Sequence, residues 1–277
     1  MSPTPAGEPH PLDAATMLKP IAPGTLRGHT SQAYWNFAGP YGGITAAVML
    51  RAALESGERL GDPVSLTVNY CAAVAPGPFD ISARNVRTNK STQHWSLELS
   101  QTGQGVANTA TAVFALRRPT WSHFPARRPE AGAPEDSPVV ATGGMSAWLA
   151  RYRFRFVGNG SAFGAGDAEA PADARSVGWM EDMPERRLDF VSLAALADAF
   201  FARIFHVRRR FFPIATISMT TYFHVSAEEL AAVEAGPVLG VADGRAFTRG
   251  ISDQTGELWS RGGRLLATTH QIVYYRD

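Results

Sequence analysis

The chain is poor in cysteine, in long apolar runs and in net charge, and each shortage excludes something. One cysteine, Cys71, rules out an internal disulfide; it lies in an apolar strand-like run and reads as a small core hydrophobe. No apolar stretch reaches the ~20 residues a membrane-spanning helix needs. Met1 to Pro11 is rich in proline and polar side chains and lacks the apolar centre of a secretory signal. The Asn-x-Ser triplets at Asn89 and Asn159 therefore carry no expectation of glycosylation, and a soluble, reducing, cytoplasmic setting is the default. A formal net charge of +1 draws the chain neither to nucleic acid nor to a membrane surface. Several chemistries are missing as well. There is no Gly-x-Ser-x-Gly elbow of a serine hydrolase. His224 and His270 stand in no metal-ligand spacing and read as strand residues, so neither a metal nor another cofactor is expected. Gly158 to Gly164 mimics a dinucleotide loop but lacks the Gly-x-Gly-x-x-Gly register and leads into no helix.

What is present is a pattern used twice. With 277 residues, 45% of them hydrophobic, the chain can bury one large core or two smaller ones. Gly42-Gly43 opens an apolar helix running to about Ser56, with Ile44, Val48, Met49, Ala52 and Ala53 at helical spacing. Val64, Leu66, Val68 and Tyr70 then alternate as in a half-buried strand. Strands over 79–88, 94–101 and 106–116 follow. Further along, Tyr152, Phe154 and Phe156 alternate with arginines, and a strand over 176–181 precedes a second helix from Leu188 to about Phe205. Strands over 214–223, 238–245, 247–253 and 264–275 complete it, with turns at Gln254-Thr255-Gly256 and Arg261-Gly262-Gly263. The boundaries predicted are a loose leader over 1–22, a first unit over 23–116, a proline-rich linker over 117–146 and a second unit over 147–277. Gly24 to Phe37 is read as two short strands with Tyr34, Trp35 and Phe37 as packing aromatics, and 158–174 as a loop.

Each unit is thus an antiparallel sheet with one long helix entering early, an α+β arrangement in which the helix covers the sheet's apolar face. Two such units would pair edge to edge and so protect exposed strand edges. Tyr34-Trp35-Asn36-Phe37-Ala38-Gly39-Pro40-Tyr41-Gly42-Gly43 before an Ala/Leu-rich helix resembles the first unit of double-hotdog acyl-CoA thioesterases of the bacterial thioesterase II type. Leu196-Ala197-Asp198, Ile214 to Ile217, Tyr222-Phe223-His224, Arg249-Gly250 and Gly263 to Gln271 resemble the second unit in order and approximate spacing. The resemblance implies two antiparallel sheets, each wrapped on a long helix and joined as a pseudo-dimer. It implies an acyl-CoA substrate, hydrolysed by water that an Asp, a Thr and a Gln activate. Carried over by motif these are Asp198 on the second helix, Thr216 on the next strand and Gln271 on the last. A homodimer or higher homo-oligomer is the expected assembly.

The residues suggest how the parts would act. A carboxylate on an apolar helix surface is costly unless hydrogen-bonded, and Asp198 would serve as general base. Thr216 would hydrogen-bond the water or the carboxylate, and the Gln271 amide, both donor and acceptor, would orient the water. Gly42 and Gly43 permit close approach to the helix start, where the Gly43 N–H is the candidate donor to the thioester carbonyl. Arg208, Arg209 and Arg210 are candidates for the CoA phosphates, against a plain solvated face. Two rivals stand beside this reading. A hotdog enoyl-CoA hydratase or dehydratase would need an Asp/His pair near the helix, and His206 falls beyond its expected end. A non-catalytic acyl-thioester-binding protein would have its pocket blocked by Phe200, Phe201 or Phe212.

Overall fold

The computed structural model describes residues 7–57, 59–158, 173–211 and 213–276. Most of the loop expected over 158–174, including the dinucleotide-like stretch, lies outside these residues, as does Phe212. The first half supplies β1 (Lys19–Ala22), β2 (Thr25–His29), β3 (Asp62–Tyr70), β4 (Pro78–Thr88), β5 (Thr92–Gln101) and β6 (Gly105–Ala115). The second supplies β7 (Tyr152–Phe156), β8 (Ser176–Asp182), β9 (Ile214–Phe223), β10 (Val238–Asp243), β11 (Phe247–Thr248), β12 (Ile251–Trp259) and β13 (Leu265–Tyr275). They form one antiparallel sheet in the order β1-β2-β4-β5-β6-β3-β9-β13-β12-β10-β8-β7, with β11 beside β12. The expected two sheets are therefore continuous. Their seam is β3 against β9, from Ser65 opposite Tyr222 to Asn69 opposite Ser218, which pairs two edges that would otherwise be open.

The helices are α1 (Pro11–Ala15), α2 (Gly42–Leu54), α3 (Phe190–Leu196), α4 (Arg203–Arg208) and α5 (Ala227–Ala231). Helix α2 is apolar nearly all round, and accordingly it is buried from Gly43 to Leu50. It packs against α3, whose seven residues are all buried. Asp189 starts α3 by accepting from the Ser192 N–H at 2.8 Å, and the Ser192 hydroxyl oxygen accepts in turn from the Asp189 N–H.

Several expectations need correction. The second long helix is two short ones, α3 and α4, and Asp198 lies beyond the end of α3 rather than on a helix. The chain leaves the helix where a carboxylate interrupts the apolar run, and that carboxylate faces a cavity instead of packed side chains. Gln254-Thr255-Gly256 is not a turn; β12 runs straight through it, and the turn is Arg249-Gly250, both at positive φ. Gly256 serves close approach instead: a Cβ there would lie 2.6 Å from the Phe200 ring, and one at Gly240 2.7 Å from it. Cys71 is exposed, because β3 ends at Tyr70. The leader holds α1 and β1, and Gly24 to Phe37 supplies one strand followed by a 3-10 turn at Gln32–Tyr34. Tyr34 is fully buried there, whereas Phe37 is 78% exposed.

Candidate active site

The start of α2 meets the end of α3 almost backbone to backbone. A Cβ at Gly43 would stand 2.4 Å from the Ala195 carbonyl oxygen, so no larger residue fits that approach. Tyr41, the N-cap of α2, donates its hydroxyl to the same carbonyl at 2.7 Å and stacks on Trp148 with ring centroids 4.2 Å apart. Trp148 follows the proline-rich linker, so three separate stretches of chain are fastened at this point.

Asp198 sits in the gap between the two helices. The Gly43 N–H, the donor the sequence offered to a thioester carbonyl, faces its carboxylate and favours the charged form. A Cβ at Gly42 would fall 2.7 Å from Asp198 Oδ2, so Asp198 sets Gly42 as Ala195 sets Gly43. The Gly42 N–H makes no hydrogen bond among the described residues, although Gly42 lines the cavity. Tyr70 closes the other side, its hydroxyl donating to the Gly42 carbonyl at 2.9 Å. Burial, reinforced by the Asp198 charge, pushes the Tyr41 and Tyr70 hydroxyls well above their ordinary range, so both stay protonated.

Gln271 on β13 is buried and donates from Nε2 to Asp198 Oδ1 at 3.2 Å. Its Oε1 accepts from Thr216 Oγ1 at 3.1 Å. A hydrogen-bond chain thus runs from Thr216 through Gln271 to Asp198, and the hydroxyl and carboxylate at its ends fix which way the amide faces. Strict alternation would put Thr216 and Met219 on opposite faces of β9. A bulge at Ile217 cancels this: Ser218 pairs with Ile272 while Thr216 pairs with Val273, which turns Thr216 toward Gln271. Burial raises the Asp198 carboxyl to about 7, with the hydrogen bonds from Gln271 and Gly43 opposing the rise. A carboxyl poised there takes up or releases a proton near neutral pH, as a general base must.

Asp198, Thr216, Gln271 and Gly42 all line one cavity of about 420 Å³, within the range of small-molecule sites. Its first-half wall includes Thr45, Tyr70, Cys71, Val74 and Asn108; its second-half wall includes Phe200, Phe205, Phe211, Ile214 and Gln254. Asn108 and Gln254 had no motif to mark them. Gln254 lies directly opposite Gln271 across the β12–β13 ladder, and its Oε1 accepts from the backbone N–H of the buried Arg203 at 3.2 Å. Burial pushes the Arg203 guanidinium down to about 9. Phe200 and Phe201 line the cavity without filling it.

The three arginines are not among the lining residues. Arg208 and Arg210 are exposed and Arg209 closes α4 in the left-handed conformation, the triplet lying between Phe205 and Phe211, which do line the cavity. His206 lies inside α4 and not on the cavity wall, so no Asp/His pair forms with Asp198. His224 bonds Thr268 at 2.9 Å and His270 approaches Asp253 at 3.6 Å. Among the described residues no group of three or more His, Cys, Asp or Glu side chains gathers as a metal site would require, and no helix is long and apolar enough to cross a membrane.

A buried helix wrapped by antiparallel strands, with a carboxylate held over a cavity at the helix start, defines a hotdog-fold protein. A hotdog-fold protein of unknown function from Alicyclobacillus acidocaldarius is similar over 98% of this chain and 99% of its own, at 42% identity and a TM-score of 0.91. A candidate thioesterase II from Thermobifida fusca shares the fold at 19% identity and a TM-score of 0.83, over 96% and 97% of the two chains. The acyl-CoA thioesterase II TesB2 from Mycobacterium marinum shares it at 18% identity and a TM-score of 0.74, over 96% and 98%. No curated protein matches. The acyl-CoA thioesterase N-terminal domain model matches residues 31–115, and the C-terminal domain model matches residues 125–275. The chain belongs to the acyl-CoA thioesterase family and is a thioester hydrolase.

Proposed function

We propose that this protein hydrolyses acyl-CoA thioesters to free acid and CoA by direct attack of water, with Asp198 as general base. Water gives a proton to Asp198 as its oxygen bonds to the thioester carbonyl carbon. The tetrahedral intermediate then expels the thiolate, which takes the proton back from Asp198, so base and acid are one carboxyl and no covalent intermediate is formed. Gln271 holds the carboxylate and orients the water, and Thr216 holds Gln271. Gly43 anchors the ionised base. Gly42, with its unshared N–H at the positive end of α2, offers the donor to the developing oxyanion. Arg208, Arg209 and Arg210 meet the CoA phosphates at the surface, beyond Phe205 and Phe211. The fold behind this is a double hotdog, units 23–116 and 147–277 joined as a pseudo-dimer through the 117–146 linker.

The observation that carries this reading is the Thr216–Gln271–Asp198 hydrogen-bond chain along the cavity wall. The test is a panel of acyl-CoA substrates with detection of the released thiol. Turnover that disappears in Asp198→Ala supports it. Hydration of an enoyl-CoA, or tight acyl-CoA binding with no thiol released, overturns it in favour of the two rivals.

A further inference from the structure

Asn108 is a wall residue that the hydrolytic chemistry leaves unused. It sits on β6, directly across from Tyr70 on β3 and from Leu99 on β5. Its side chain is 1% exposed and lines the cavity, and its Oδ1 has no hydrogen-bond partner. A buried amide oxygen without a partner is costly, and proteins keep few of them. Its position tells which part of the substrate comes near. In the hydrolytic reading the reacting carbonyl sits in the cavity beside Asp198 and Gly42. The second-half wall carries Phe205 and Phe211, which flank the arginine triplet in the chain, and the first-half wall carries Thr45, Tyr70, Val74 and Asn108. With CoA leaving past the arginines, the acyl group extends toward Asn108.

We infer that the preferred acyl group carries a hydroxyl that pairs with the Asn108 amide, and that Asn108 sets a preference for hydroxyacyl over unsubstituted acyl thioesters. A hydrocarbon chain lying there would seal the amide from water and leave it unmet. A hydroxyl both donates and accepts, so it satisfies the amide whichever way its oxygen and nitrogen face. Thr45, also buried and on the cavity wall, adds a hydroxyl to the same wall. This inference rests on the thioesterase reading and deepens it.

The test compares matched substrates on the full chain: butyryl-CoA against β-hydroxybutyryl-CoA and γ-hydroxybutyryl-CoA, and hexanoyl-CoA against β-hydroxyhexanoyl-CoA. We expect kcat/KM to favour the better hydroxylated partner by about tenfold or more. Asn108→Leu, nearly the same size, should bring the ratio to about one or below by raising the plain substrate and lowering the hydroxylated one. Asn108→Ala is the second variant should the first fail to fold. Equal rates for plain and hydroxylated chains in the wild type, or an unchanged ratio in either folded variant, overturn the inference and leave the thioesterase reading standing. A wild type that hydrolyses none of the thioesters overturns both.

Discussion

Asp198→Asn separates what the carboxylate does from what it costs. Burial lifts this carboxyl from the ordinary 3.8 to about 7. The folded chain therefore holds a proton that the unfolded chain has already lost, and stability falls as pH rises from about 4 to about 7. A rise of about three pH units at about 1.4 kcal/mol each bounds that loss at about 4 kcal/mol. Asp198 is only half-buried and the cavity admits solvent, so the gain from removing the charge is expected at about 1–3 kcal/mol. Asn keeps an oxygen for the Gly43 N–H. Gln271 can turn its amide to accept from the new nitrogen while donating to Thr216, so the hydrogen-bond chain survives reversed. Thiol release should fall by about 10²–10⁴-fold, because the amide cannot take a proton from water. The wild-type kcat/KM should climb with pH through about 7 and level off above it, and the residual activity of the variant should lack that rise. Urea unfolding at about pH 8 should show the variant as the more stable protein, an advantage gone below about pH 4. A variant that keeps its rate within about tenfold, or that is less stable at pH 8, refutes the reasoning.

Gly43→Ala must open the contact between α2 and Ala195 that leaves only 2.4 Å for a Cβ, so we expect a loss of about 2–4 kcal/mol in thermal or urea unfolding together with lost turnover. Thr216→Val removes the donor to Gln271 Oε1 and should lower kcat by about five- to tenfold with KM little changed, as read from saturation curves. Asp182 is buried with neither oxygen hydrogen-bonded, and burial raises it to about 7, so Asp182→Asn should stabilise the fold by about 1–3 kcal/mol above neutral pH and by nothing below about pH 4, with activity retained. Cys71 is exposed on the cavity wall, so maleimide should label it in the native protein, and acyl-CoA should slow the labelling as followed by mass spectrometry.

The sequence made the strands legible where one face is buried and the other wet. Tyr152, Phe154 and Phe156 set against three arginines mark β7, and the apolar α2 is marked by its spacing. It misled where a glycine serves packing rather than a turn. Gly256 looked like a hairpin residue, but its missing Cβ is what allows the Phe200 ring to lie on β12. The break after Leu196 was hidden because Ala199 to Phe205 continues an apolar run with no helix-breaking residue. Motif order found Asp198, Thr216 and Gln271, but periodicity alone would have turned Thr216 away, since the bulge at Ile217 leaves no local signature. Asn108 and Gln254 could not be singled out, because nothing in a strand sequence tells an inward amide in a packed core from one beside a cavity.

The seam between β3 and β9, with Tyr41 bonded to Ala195 and stacked on Trp148, joins the two halves by contacts that do not depend on an unbroken chain over 117–146. We expect a cut in that segment to leave two fragments that co-elute in gel filtration and still release thiol. Each fragment alone would be inert, one lacking the base and the other the helix start that holds it. In the proposed two-unit fold the linker would then be a tether that guarantees equal numbers of two unlike parts.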